Sequence, residues 1–177
     1  MRFTPTPFAG LVVVDIAPLA DDRGHFARSF CTEEFAAAGL PAAFPQCNLS
    51  FNARAGTLRG LHWQAEPHPE GKLVRCTRGA VFDVAVDVRP ESPTFRLWFA
   101  AELTAENGRA LYIPPGFAHG FQALQDASEV FYMMTERYHP ALARGAAWDD
   151  PGFGIAWPLP APIMSDRDRA LPRFTAP

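Results

Sequence analysis

The chain is nearly devoid of lysine: Lys72 stands alone among fifteen arginines. An ammonium is a compact point charge that can sit on one oxygen, whereas guanidinium is a planar fork. A functional Lys72 would therefore face an oxygen that gains negative charge; a solvated surface lysine is the other reading. Cysteine is scarce too. Cys31, Cys47 and Cys76 are an odd number without a CxxC spacing, which favours a reducing compartment and thiols serving as small core residues. There is no long apolar run: the stretch from Phe8 to Val14 falls far short of the ~20 residues needed to span a bilayer. The segment Met1–Pro5 has no signal-peptide pattern, so the expected location is cytoplasmic. Positive charge is not in excess, since the net charge is −3. That leaves no basic field to draw nucleic acid or an anionic membrane.

What is present is an ordinary globular composition, 48% hydrophobic and 20% charged over 177 residues, which fits one domain over residues 1–177. Short strand-like runs dominate. Leu11–Val14 is β-branched, and Gly79–Arg89 alternates from Val84 on, which predicts a half-buried strand. Further strands are expected over Phe95–Leu103, Arg109–Ile113, His119–Leu124 and Glu129–Thr135, separated by turns such as Glu106-Asn107-Gly108 and Pro114-Pro115-Gly116. Thr32–Ala38 reads as a helix with Thr32 as N-cap, and Thr104-Ala105-Glu106 as a second helical turn. The proline-rich tail from Pro158 reads as a surface wrap. Many short strands with little helix indicate an all-β sandwich or barrel.

Of five histidines, His62 and His119 sit in strand settings beside other reactive groups. Lys72 follows ten residues after His62, on what reads as the next strand of a hairpin. Arg59 lies on the same short strand as His62, but strand alternation puts 62 on a face with 60 and 64. Arg59 would need an irregularity at Gly60 to reach the same cavity. Pro114-Pro115-Gly116-Phe117-Ala118-His119 resembles the PxGxxH second metal motif of cupin barrels, but the first motif's HxH is replaced by His62-Trp63-Gln64. Glu66, His68 and Glu70 could complete a mixed metal site. Without a metal, His62, Lys72, His119 and Tyr132 suit proton abstraction next to a carbonyl: a neutral imidazole takes the proton, a cation holds the enolate and a phenol returns the proton. The plainer reading of Tyr132 is a core aromatic with its hydroxyl bonded to backbone.

At this point the chain resembles the dTDP-4-dehydrorhamnose 3,5-epimerase family. The match is carried in order by Asp22-Arg23-Gly24, Gln46–Ser50, Leu58–Gln64, Gly71–Arg75, Phe82–Arg89, Ser92–Phe95, Pro115–Phe121, Trp148–Pro151, Gly154–Pro158 and Ser165–Asp168. The resemblance implies a metal-free, cupin-like jelly-roll barrel with a few short helices, a homodimer, and no cofactor. It implies a nucleotide diphosphate sugar as substrate, epimerised at C3, C5 or both. His62 would be the base and Asp168 its orienting partner. Tyr132 would be the opposing acid, and Lys72 the enolate-stabilising cation. Arg23, Gln46, Asn48, Ser50, Arg59 and His119 would line the substrate path, arginine being suited to diphosphate. The chain departs from the family at Arg28, where a glutamate near the nucleotide base is usual, and at Cys47, Leu49, Trp63 and Met133-Met134. A 3- or 5-epimerase on another 4-keto nucleotide sugar, a metal-dependent cupin enzyme and a non-catalytic sugar-nucleotide binder stand as alternatives.

Overall fold

The computed structural model describes residues 1–175; residues 176 and 177, which the expected domain includes, lie outside the described residues. It contains β1 (Arg2–Pro5), β2 (Val12–Asp15), β3 (Leu19–Asp21), β4 (Gly24–Phe26), α1 (Thr32–Ala37), β5 (Gln46–Asn52), β6 (Leu58–Gln64) and β7 (Lys72–Arg78). Then follow β8 (Ala80–Asp87), β9 (Trp98–Thr104), β10 (Ala110–Ile113), β11 (Phe117–Ala123), β12 (Ser128–Met134), β13 (Ala143–Gly145) and α2 (Asp166–Arg169). Two antiparallel sheets form a cupin-like jelly roll. One runs β1-β2-β10-β7-β12-β5, the other β13-β6-β11-β8-β9, and β3-β4 stands apart as a hairpin. Among the described residues no helix is long and apolar enough to cross a membrane.

Between the sheets, Val74, Leu111 and Val130 of the first meet Val81, Ala85, Phe117 and Phe121 of the second. The alternation in β8 predicted one solvated face, but both are buried. Val84 and Val86 point outward and are covered by Phe153, Ile155, Trp157 and Phe174 from the C-terminal segment. That segment wraps the barrel as expected, and it also forms α2, which the polar run Ser165–Asp168 had not suggested. Ser165 caps α2 by accepting a hydrogen bond from the Asp168 amide at 3.1 Å, satisfying one of the amides a helix start leaves free.

Other expectations are corrected. Residue Cys31, not Thr32, is the N-cap of α1 and makes no side-chain cap bond. Thr104–Glu106 leads into a turn, not a helix, closed by Thr104 and Asn107 bonding each other's backbone amides at 3.1 and 2.9 Å. Phe95–Leu97 precedes β9 as a turn, with Arg96 at φ 65°. Of the cysteines only Cys76 is buried, while Cys47 is exposed. Strands β6 and β7 are not a hairpin; they belong to opposite sheets.

Asp87 ties the loop after β8 to the barrel. Fully buried, it accepts from Arg89 Nε and Nη2 at 2.9 and 2.7 Å, and from the Ser92 and Thr94 hydroxyls at 2.5 and 2.6 Å. Burial alone would raise its pKa, but these donors outweigh it and hold it at about 2. A depressed carboxylate stabilises the fold above its ordinary pKa of 3.8, and this contribution is lost as pH falls towards 2. Asp87→Asn is therefore predicted to lose about 2 kcal/mol at neutral pH. Chemical denaturation should show the gap from wild type closing as pH approaches 2; a gap independent of pH would contradict this account.

Candidate active site

A cavity of about 590 Å³ opens between the sheets, lined by residues of β5, β6, β7, β11, β12 and β13 and of the segment around α2. Its size is that of a small-molecule site. Strands β6 and β11 build one wall. His62 lies directly opposite His119, and Arg59 opposite Phe121. Three residue steps on β6 thus match two on β11, and this bulge turns Arg59 to the face of His62. Gly60 makes the bulge feasible. At φ +122° a Cβ there would lie 2.6 Å from Gly120 Cα and 2.8 Å from the His119 oxygen, so a side chain is excluded.

Each group on this wall has its own partner. His62 Nε2 lies 2.8 Å from Asp168 Oδ1, and the Gly60 amide donates to Asp168 Oδ2 at 3.3 Å. Burial works against ionising Asp168, but the bond to His62 and its charge, the Gly60 amide and Arg167 leave its pKa lowered. An ionised Asp168 accepts the Nε2 proton and leaves His62 Nδ1 as the basic nitrogen; among the described residues Nδ1 has no hydrogen-bond partner. His119 repeats the arrangement with Asp83, fully buried, at 2.8 Å. Arg59 is aimed by Asn52, through Nε at 2.9 Å, and by the Phe51 carbonyl at 3.2 Å.

The opposite wall comes from β5, β7 and β12. Lys72 pairs across the sheet with Met134, and Tyr132 with Val74 and Asn48, so all five side chains share the inner face. Lys72 is buried, and its Nζ lies 2.5 Å from Glu70 Oε1. The Tyr132 phenol is pushed above its ordinary pKa of 10.0, chiefly by burial and then by the Glu70 charge, against the opposing pull of Arg59. Gln46 and Asn48 flank Met134, and the buried Ser50 hydroxyl has no protein partner among the described residues.

The cavity therefore collects His62, Asp168, Tyr132, Lys72, Arg59, His119, Gln46, Asn48 and Ser50. It does not collect Arg23. That residue sits at the turn of the β3–β4 hairpin, paired with Asp21 at 2.6 Å and with its side chain 89% exposed. Arg28 is also outside, neutralised by Glu34 at 2.6 Å. The mixed metal set does not converge here: Glu70 is taken by Lys72, and His68 stacks on His139 beside Glu136 outside the cavity. Sequence reasoning had Glu70 only as a candidate metal ligand, and it missed Asp83 and Asn52 as supports and Arg144 and Arg167 as cavity cations. The signal for Asp83 was a charged residue inside an apolar strand; Arg144 and Arg167 carried none.

This geometry agrees with what similar proteins are. The model for the family described as dTDP-4-dehydrorhamnose 3,5-epimerase matches residues 5–176. The chain belongs to that family. A dTDP-4-dehydrorhamnose 3,5-epimerase from Methanothermobacter thermautotrophicus is 46% identical over 171 residues, covering 95% of this chain and 91% of that protein. The crystal structure of a Bacillus anthracis dTDP-4-dehydrorhamnose 3,5-epimerase with TDP and PPi bound has a TM-score of 0.95 at 39% identity, covering 98% of this chain and 99% of that one. A dTDP-4-dehydrorhamnose 3-epimerase from Streptomyces niveus is 38% identical over 170 residues, covering 96% of this chain and 82% of that protein. The chain is thus a nucleotide-sugar epimerase.

An Asp168 that fixes the tautomer of His62 and balances an imidazolium predicts that Asp168→Asn lowers kcat by about 10²–10⁴. KM should change little. Steady-state turnover checks this, and a variant of near-native kcat would deny Asp168 the role.

Proposed function

We propose that the chain inverts C5, C3 or both of a dTDP-linked 4-keto-6-deoxyhexose. The observation that carries this reading is the division of one cavity into a basic wall and an acidic wall. His62, backed by Asp168, lies on one sheet, and Tyr132 with Lys72 lies on the other. His62 Nδ1 takes the proton from the carbon beside the C4 ketone. The C–H electron pair forms a C=C bond to C4, the carbonyl π pair moves onto the C4 oxygen, and the enolate is held by Lys72 and His119. Tyr132 then gives its phenolic proton to the opposite face of that carbon, the enolate electrons return to re-form the ketone, and solvent restores both side chains. The proton transfers balance among side chains and water, so this reading calls on no cofactor. Arg59, Arg144 and Arg167 supply the positive charge a diphosphate needs.

The TDP bound by the Bacillus anthracis relative supports thymidine diphosphate as the nucleotide. The Arg28–Glu34 pair lies outside the cavity and does not reverse its charge. The unpaired cysteines support a cytoplasmic location, and core clusters packed against the same two sheets support one domain.

The reading includes a homodimer. Leu19 and Phe26 on the hairpin, and Leu49 and Phe51 on the free edge strand β5, are large apolar side chains left 53–75% exposed. An open edge with such side chains is a template for a second chain. Packing a copy there would bring the Arg23 hairpin towards a neighbouring cavity. Light scattering on the purified protein should give twice the chain mass; a monomer would leave Arg23 without a route to substrate.

The chemistry is tested in D₂O with a dTDP-4-keto-6-deoxyhexose, read by NMR. Deuterium should enter at C5, C3 or both. Tyr132→Phe should slow inversion more than exchange, because proton removal survives without delivery to the far face. Absence of exchange with every 4-keto nucleotide sugar tried would sink the reading.

A further inference from the structure

The buried Glu70–Lys72 pair is not explained by the catalytic set just described. An enolate-stabilising ammonium needs charge and freedom to donate, and a carboxylate 2.5 Å away takes one of its three donors. A buried carboxylate is costly unless it is paired, and truncating one partner of such a pair destabilises. We propose that Glu70 is a positioning residue for the reaction, acting through Lys72, with which it is ion-paired, and Tyr132, which lines the same cavity. The inference rests on the epimerase reading for its rate consequences but not for its electrostatics.

The backbone fixes Glu70. Gly71, between Glu70 and Lys72, donates to Thr135 Oγ1 at 2.7 Å and accepts from the Thr135 amide at 2.9 Å. A Cβ at Gly71 would lie 3.1 Å from the Tyr112 hydroxyl and 3.2 Å from Thr135 Oγ1, so this junction is tight. Thr135 directly follows β12, the strand that carries Tyr132. Glu70, Lys72 and Tyr132 are thereby held by one joint between β7 and β12.

The charge of Glu70 is not shared among the other ionisable groups of the cavity. Arg59 on β6 is engaged by Asn52 and Phe51, and His62 by Asp168. His119 on β11 is taken by Asp83. From β13, Arg144 donates to the Ala141 and Ala143 carbonyls, and Arg167 of α2 acts on Asp168. Tyr138, the other phenol of the lining, is exposed to water, which screens charge. That leaves Lys72 as the ion-pair partner of Glu70 and Tyr132 as the half-buried phenol that senses its remaining field. The raised pKa of Tyr132, with Glu70 the largest contributor after burial, agrees with this. Glu70 therefore anchors Lys72 and sets the field at Tyr132, two tasks that a neutral amide would not perform together.

The test compares wild type with the isosteric Glu70→Gln. Ultraviolet difference titration of tyrosinate reports Tyr132, with Tyr132→Phe subtracted to assign the signal and remove that of the other tyrosines. In Glu70→Gln the Tyr132 midpoint should move to lower pH, and the alkaline limb of kcat should move with it. The kcat should also fall about tenfold with KM nearly unchanged, short of the ~10²–10³ that losing an oxyanion donor outright costs. An unmoved Tyr132 midpoint overturns the proposal whatever happens to the rate. Wild type that fails to exchange deuterium would defeat the epimerase reading alone, because the phenol titration needs no substrate.

Discussion

A sheet buried on both faces needs a cover, and here that cover is the end of the chain. Strand β8 lies at the centre of this constraint: its inner valine and alanine meet the first sheet, and its outer valines would face water without Phe153, Trp157 and Phe174. Burying such side chains is worth roughly 1.5–3 kcal/mol each, enough to fix the course of an irregular tail. Once fixed, the tail lands α2 against β6 and puts Asp168 on His62. The carboxylate partner of His62 is thus positioned by hydrophobic cover packed on the far side of the sheet.

The two walls of the cavity use the same device in opposite senses. On the β6–β11 wall each histidine is backed by a carboxylate, Asp168 or Asp83, that accepts a ring proton. On the β7–β12 wall a carboxylate backs a lysine and lies near a phenol. A buried carboxylate is costly unless it is paired, and on each wall its partner is a group of the cavity. Because the pairs stand on different sheets, a molecule in the cavity lies between His62 with Asp168 on one side and Tyr132 with Lys72 on the other.

The sequence made the apolar strands visible, since β8, β10, β11 and β12 carry their own β-branched and aromatic signal. It hid β5, whose cavity-facing Gln46, Asn48 and Ser50 alternate with exposed Cys47, Leu49 and Phe51, the inverse of the usual pattern. The tail's helix was hidden because four residues carry no period. Resemblance named most of the cavity residues, because they lie inside short ordered motifs. What it could not supply was tertiary: which sheet holds His62 and which holds Lys72, how a bulge at Gly60 brings Arg59 round, and that Arg23 stands outside the cavity. Supports such as Asp83 and Asn52 act only through partners far along the chain, which local pattern does not show.

Asp168 comes after every described strand in chain order, yet it pairs with His62 on β6. The cover of β8 and the carboxylate partner of His62 are carried on one stretch of chain, so a change that loosens the cover also loosens the pair.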